Sequence, residues 1–402
     1  MTTPKKRRRT VPDPSRRGVL WGSVGAVLAP AATAKAQAAR SAARPGAASS
    51  PLIVNALGGL SDPNIGLGGP GYQILAGGPG MRVDVNARAL RDAHAAGVSA
   101  INLTLGFVAG DAEPFEHTVR SIGQWDEAIR VNPRDLLKVY SAADILKAKA
   151  ERRIGLIYGF QNVPQIGGKL DRVDIFADLG VRIVQLTYNP PGPWGDGAMA
   201  PENRGLTPLG RRAIEALNAR RLMVDLSHSG EKTCLEAARA SRQPISINHT
   251  GCRALTDLPR NKTDEELKLV ASKGGFVGIY FMPFLAADSR ARAEDVVAHI
   301  EHAVKVCGED HVGIGTDGGL SAIDDMKAYD KTLLKAHHER VKMGIASKGE
   351  GVGIYPFVPD LQGPGQFRKV AEMLRKRGHT QARVEKILGR NFLRYARDVW
   401  GA

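Results

Sequence analysis

Leu222-Met-Val-Asp-Leu-Ser-His228-Ser-Gly230 is an apolar run that ends in a histidine, with a helix start directly behind it. The arrangement recurs in Pro244-Ile-Ser-Ile-Asn-His249 and, with a carboxylate at the end, in Val312-Gly-Ile-Gly-Thr-Asp317. Each run has the length and β-branched content of a buried strand. Three strands that each deliver a metal-competent side chain at the carboxyl end predict one shared mouth. Similar runs occupy 52–57, 99–105, 154–160, 181–187, 222–227, 244–248, 276–281 and 311–316. Several are apolar on successive residues, as parallel strands covered on both faces are.

Helix signals fill the gaps between these runs. Thr207-Pro-Leu-Gly210 places a capping residue before proline at the first helical position. Thr263-Asp-Glu-Glu266 reads as a capping box, with Gly274 where that helix should stop. Strands alternating with helices predict an α/β chain, either a closed (β/α)8 TIM-type barrel or an open doubly wound sheet. Functional side chains at many strand ends, rather than at one crevice, favour the barrel. The reading is one barrel domain over 51–402, with a long loop 321–365 over the active-site face. His337 and His338 in that segment read as solvated helix residues, and the glycine-rich stretch 66–80 reads as a loop.

The chain of 402 residues is 43% hydrophobic but only 5% aromatic, which suits a large aliphatic core. Its net charge of +15 is unevenly placed, because residues 1–38 hold eight Lys/Arg against one acid and so supply +7. The remaining +8 is spread through mixed signs, which argues against a nucleic-acid surface. Residues 1–38 read as an export address. Ser15-Arg-Arg-Gly-Val-Leu20 carries a twin-arginine pair before a weakly apolar run, and Ala34-Lys-Ala36 or Ala36-Gln-Ala38 offers a cleavage site. Residues 39–50 read as a linker. The expected location is therefore the periplasm or another exported compartment. No later stretch has the ~20 apolar residues of a membrane span. Cys234, Cys252 and Cys307 have no ligand spacing and read as buried small hydrophobes.

Histidines on adjacent strand ends would stand ~5 Å apart, close enough for two imidazoles to hold one ion at ~2.0–2.1 Å. With Asp317 beside them, His228 and His249 predict a metal or catalytic site.

Several ordered motifs then become specific. Gly205-Leu-Thr-Pro-Leu-Gly210, Val224-Asp-Leu-Ser-His228, Asn248-His249 after Ser241-Arg-Gln-Pro, Arg253-Ala-Leu255, Asp310-His-Val-Gly-Ile-Gly-Thr-Asp317 and Ile387-Leu-Gly-Arg-Asn-Phe-Leu393 together resemble the renal, or membrane, dipeptidase family. This is a zinc metallopeptidase group on an amidohydrolase-type barrel. The resemblance is clear from Ile154 to Trp400. It implies two zinc ions with a bridging glutamate and a metal-bound hydroxide that attacks a dipeptide bond. On this chain it implies that His228 and His249 bind metal. It makes Asp317 a ligand or proton acceptor and Arg253 the partner of a substrate carboxylate.

The resemblance also marks departures. Leu57 and Gly59, in Val54-Asn-Ala-Leu57-Gly-Gly59, stand where the family's first strand supplies a histidine and an aspartate. Gln161 replaces the bridging glutamate, and Tyr188 replaces a substrate-contacting histidine. The expectation is at most one Zn2+, held by His228 and His249 with Asp317 or Gln161. Tyr188 is expected to donate to an oxyanion and, with Asn189, to contact substrate. The expected partners are a small peptide-like substrate with a free carboxylate and a second copy of the chain. A non-catalytic ligand-binding barrel, or another hydrolase reaction, stays open as an alternative.

Overall fold

The structure, a computed structural model, describes residues 50–65 and 85–401. The expected signal over 1–38, nearly all of the linker and the glycine-rich stretch 66–80 lie outside the described residues, apart from Ser50.

Among the described residues nine strands form in chain order: β1 (Val54–Asn55), β2 (Ala100–Thr104), β3 (Leu136–Lys138), β4 (Ile154–Phe160), β5 (Val181–Gln185), β6 (Met223–Asp225), β7 (Ser246–Thr250), β8 (Phe276–Ile279) and β9 (Val312–Ile314). All ladders are parallel and run β1-β2-β4-β5-β6-β7-β8-β9, with β3 paired to the start of β4 outside this path. The eight strands of the path overlap the eight apolar runs, with β7 continuing two residues beyond its run to Thr250. Backbone bonds bring β9 back to β1, with Ala56 N donating to Ile314 O at 2.9 Å and Asp317 N to Leu57 O at 3.0 Å. Asn55 seals the same seam, its Oδ1 accepting from Thr316 N and its Nδ2 donating to Thr316 Oγ1, each at 2.9 Å. The result is a (β/α)8 TIM-like barrel.

Helices α1 (Ala87–Ala95), α2 (Pro114–Val131), α3 (Ala142–Ala150), α4 (Arg172–Asp178), α5 (Pro208–Ala219), α6 (Glu231–Ala240), α7 (Asp264–Ser272) and α8 (Ala293–Cys307) lie between the strands in sequence. The two capping signals act as read. Gly210 N donates to Thr207 Oγ1 at 2.9 Å, and Thr263 and Glu266 form a reciprocal capping box. Gly274 follows α7 at φ +77°, a left-handed turn that glycine adopts at no steric cost.

Inside the barrel the backbones approach closely. A Cβ on Gly278 or on Gly315 would meet the carbonyl oxygen of Asn248 at 2.0 Å, so only glycine lets β8 and β9 pass β7 there. At the amino ends of the strands, the helix Asn391–Trp400 places Phe392, Tyr395, Val399 and Trp400 in a buried cluster with Leu52, Ile183, Met223 and Phe276. This end is packed for stability, leaving the carboxyl ends for chemistry.

Segment 321–365 is not a plain loop. Met326–Lys342 forms a 17-residue helix, α9, capped by Asp325. Only Tyr329 of α9 is fully buried, because the helix lies over the mouth rather than against the sheet. Among the described residues no helix is long and apolar enough to cross a membrane, and all three cysteines are buried and free.

Candidate active site

At the carboxyl ends of the strands lies a cavity of about 110 Å³. A buried water needs ~10–15 Å³ by the same measure, so the space suits a small molecule rather than a folded chain. Its floor carries Gln161, Tyr188, Asn189, His228, Arg260 and Asp317. Its roof is α9, whose Tyr329, Leu333, Ala336, His337 and Arg340 face inward, with Glu350 and Ile354 beyond the helix. His337 therefore faces the cavity, contrary to the reading of a solvated residue.

Local chemistry fixes His228. After β6 the buried Asp225 carboxylate accepts from Ser227 N and Asn248 N at 3.0 Å, and from Ser227 Oγ at 2.5 Å. Ser227 Oγ in turn accepts from His249 N at 3.0 Å, which ties the two histidine-bearing strand ends together. Lys262, buried and 3.1 Å from the buried Glu266, donates to Ser229 O on the other side of His228. Tyr188 stacks on the His228 ring at 4.2 Å between centroids and 22° between planes.

The hydrogen bonds of His228 define its tautomer. Asn189 Nδ2 donates to Ile345 O at 2.8 Å, so Asn189 Oδ1 faces His228 Nδ1 at 2.6 Å and accepts its proton. His228 Nε2 then carries the lone pair, and Arg260 Nη2 donates to it at 3.1 Å. Arg260 Nη1 donates to Ser227 O. The His249 ring lies 5.0 Å from that of His228, fully buried, with neither nitrogen hydrogen-bonded, and it is not a wall of the cavity. Burial first, and then the positive charge of Arg260, push both imidazoles well below the usual histidine pKa, so both are neutral.

Asp317 sits half-buried at φ +54°, a left-handed conformation uncommon outside glycine. Desolvation lifts its pKa to about 6 against the lowering pull of Arg260 and Arg340. Arg340 grips Glu350 through two bonds of 2.7 and 2.6 Å, and its Nη1 donates to Tyr188 Oη at 3.2 Å. Gln161 donates to Thr104 Oγ1 at 2.7 Å.

Two expectations need correction. Arg253 is not a wall of the cavity: its Nη1 bonds Glu231 at 2.9 Å and its Nε donates to Asn261 O at 3.2 Å. Arg260, eleven positions after His249, takes the place at the cavity that was expected for Arg253. Residue type and loop position are the same for both arginines, and only the fold separates them.

The expected metal set is also not assembled. His228 and Asp317 face the cavity and His249 lies next to His228, but Arg260 claims the lone pair His228 would give an ion. Leu57 and Gly59 follow the first strand without a ligating side chain, and Gln161 offers only a neutral amide whose nitrogen donates to Thr104. Among the described residues no group of three His, Cys, Asp or Glu side chains is gathered to hold one ion. A divalent ion ~4 Å from a guanidinium would meet about 8 kcal/mol of repulsion at an effective dielectric of ~20. The residues present do not fit the implied zinc centre.

Comparison with known proteins places this geometry in a lineage. The sequence pattern of the membrane dipeptidase family, peptidase family M19, matches residues 80–341. An uncharacterised protein of the pqqA 5′ region of Klebsiella pneumoniae is 27% identical over 272 residues, 65% of this chain and 88% of its own. The dipeptidase tcpJ of Claviceps purpurea is 30% identical over 264 residues, again 65% of this chain but only 54% of its own length. Among solved structures, an amidohydrolase from Pseudomonas aeruginosa superposes with a TM-score of 0.72 at 31% identity, covering 88% of this chain and 97% of that one. A metallopeptidase from Rhodobacter sphaeroides, liganded with a phosphinate mimic of the dipeptide L-Ala-D-Ala, shares the fold at 20% identity and a TM-score of 0.68, covering 87% of this chain and 100% of its own. The chain belongs to the membrane dipeptidase family, peptidase family M19, whose members are metallodipeptidases.

Proposed function

We propose that the chain hydrolyses a small, dipeptide-like amide carrying a free carboxylate, seated in the cavity under α9. The observation that carries this reading is Arg260. Its side chain is 2% exposed, lines the cavity and has no carboxylate ion-pair partner among the described residues. A buried cation without a close ion-pair partner is costly, and an anionic ligand relieves that cost. A guanidinium fork matches a carboxylate in shape as well as charge. Family membership and the dipeptidase name of the Claviceps relative support an amide as the group cleaved.

The residues at hand suffice to describe the steps. Arg260 binds the substrate carboxylate and fixes the amide beside Asp317. Asp317, ionised above about pH 6, takes a proton from a water whose oxygen bonds to the amide carbon. The hydroxyl of Tyr188 already accepts from Arg340, so its own proton is free to meet the developing oxyanion. Protonated Asp317 then returns the proton to the leaving nitrogen as the C–N bond breaks. The roof of α9 shields the reacting carbonyl from bulk water.

The test is a panel of dipeptides and their carboxyl-amidated forms, assayed with the full chain and with Asp317→Asn. Turnover of carboxylate-bearing members that collapses in the variant is the expected result. Tight binding of the same compounds without turnover by the parent would instead support a ligand-binding barrel, a reading favoured by Leu57, Gly59 and Gln161 in place of the family's ligands.

A further inference from the structure

We infer that this pocket holds no resident metal ion, because the guanidinium of Arg260 occupies the imidazole nitrogen of His228 through which an ion would be held. The family implies a metal; the residues of this chain argue for a replacement.

Three independent features carry the inference. The first is the use of both His228 nitrogens. Asn189 is oriented by its bond to Ile345 O, which sets Nδ1 of His228 as the donor and leaves only Nε2 for an ion. That lone pair accepts from Arg260 at 3.1 Å. The guanidinium is anchored from its other side by Ser227 O, so it is built in rather than draped across the site.

The second is the charge inventory. An ion needs carboxylates to neutralise it, and the candidates are spent or absent. Asp225 is occupied by Ser227 and Asn248, Glu350 is clamped by Arg340, and Gln161 is a neutral amide whose nitrogen donates to Thr104. Asp317 alone remains, already facing the charges of Arg260 and Arg340.

The third is His249. Its two nitrogens are buried and without partners, and it is not a wall of the cavity. One free imidazole without a second nitrogen or a pair of carboxylates is too few ligands for a catalytic zinc, which needs three.

The guanidinium also supplies what an ion would have supplied for binding: a fixed positive charge in a water-poor pocket, independent of metal supply and of pH. The inference rests on the hydrolase reading only for where the chemistry occurs, and its test is separable from activity. The full chain is purified from zinc-supplemented cells, and its metal is counted by inductively coupled plasma mass spectrometry. Zn2+ is then added in a thermal-shift titration, and Co2+ is added while the visible ligand-field bands are recorded. The expected results are zinc far below one ion per chain, no rise in Tm with Zn2+, and no cobalt bands of a low-symmetry site. Hydrolysis, where present, survives a chelator unchanged.

One tightly held ion per chain, with a Tm that falls on its removal, overturns the inference and leaves the hydrolase reading standing. A metal-free chain without turnover supports the inference and removes the hydrolase reading. Arg260→Ala is the accompanying variant. A variant that folds, shown by circular dichroism, and takes up Co2+ where the unmodified chain takes none is the expected result. A folded variant that takes up no more Co2+ than the unmodified chain contradicts the role of Arg260.

Discussion

Nη2 of Arg260 lies 3.1 Å from Nε2 of His228, so a permanent cation and a neutral imidazole share the nitrogen lone pair at the centre of the pocket. The relationship orders the rest of the site. It lowers the proton affinity of both histidines, it leaves Asp317 as the unpaired carboxylate at the wall, and it turns a family metal pocket toward anion binding.

Asp317→Asn removes the proposed base while keeping the shape of the side chain. General base catalysis is worth ~10²–10⁴-fold, and kcat should fall by about that factor. In the parent, kcat/KM should rise with pH through about 6 as Asp317 ionises and then level off. His228 and His249 are neutral throughout this range and add no second step. The same raised pKa makes the folded state bind the proton more tightly than the unfolded chain. The Asp317 contribution to folding stability therefore falls as pH rises from the ordinary 3.8 to about 6, whereas His228 and His249, neutral when buried, contribute in the opposite sense over that range; the difference in urea midpoint between the parent and Asp317→Asn isolates the Asp317 part.

Tyr188→Phe keeps the ring stacked on His228 and removes only the hydroxyl that Arg340 orients. Loss of one preorganised oxyanion donor costs ~10²–10³-fold in kcat. KM should change little, because the ring, Asn189 and Arg260 remain. An unchanged kcat would assign Tyr188 a packing role alone.

Lys262→Met tests the support beneath the site. Lys262 and Glu266 are 2% and 0% exposed in their side chains and 3.1 Å apart. Removing one partner strands a buried charge, and the expected loss is ~3–5 kcal/mol in urea unfolding. The double variant Lys262→Met with Glu266→Gln should recover much of it.

Much of this architecture could be read from residues alone. The eight apolar runs coincide with the eight barrel strands because parallel strands buried on both faces need continuous hydrophobicity, a signal independent of loops. β3 escaped because three residues pairing only with the start of β4 carry no such run. Helix α9 was read only as the helical setting of His337 and His338 inside a long loop, because its polar outer face hides the inward period of Tyr329, Leu333, Ala336 or His337, and Arg340.

At the site, His228 and Asp317 were legible as strand-end side chains. Arg260 was not: in Pro259-Arg260-Asn261-Lys262 three of the four residues are buried by the turn that follows β7, although all are polar or turn-forming types. Burial of a charged loop residue is decided by tertiary packing, and no local pattern announces it.

Export by the twin-arginine route remains a proposal resting on Arg16 and Arg17 ahead of an apolar run. Replacing both with lysine should hold the chain in the cytoplasm, as cell fractionation with an antibody to the barrel would report. Unchanged export would show that another signal is used.

The most direct measurement compares hydrolysis of an alanyl dipeptide with that of its carboxyl-amidated form, by the parent chain and by Arg260→Gln. A charge-assisted hydrogen bond contributes ~1.5–3 kcal/mol, or ~10–150-fold. The parent should prefer the free carboxylate by about this factor in kcat/KM, and Arg260→Gln should lose the preference mainly through KM. Equal use of both substrates by the parent, or a preference that survives in Arg260→Gln, would contradict a carboxylate-binding role for Arg260.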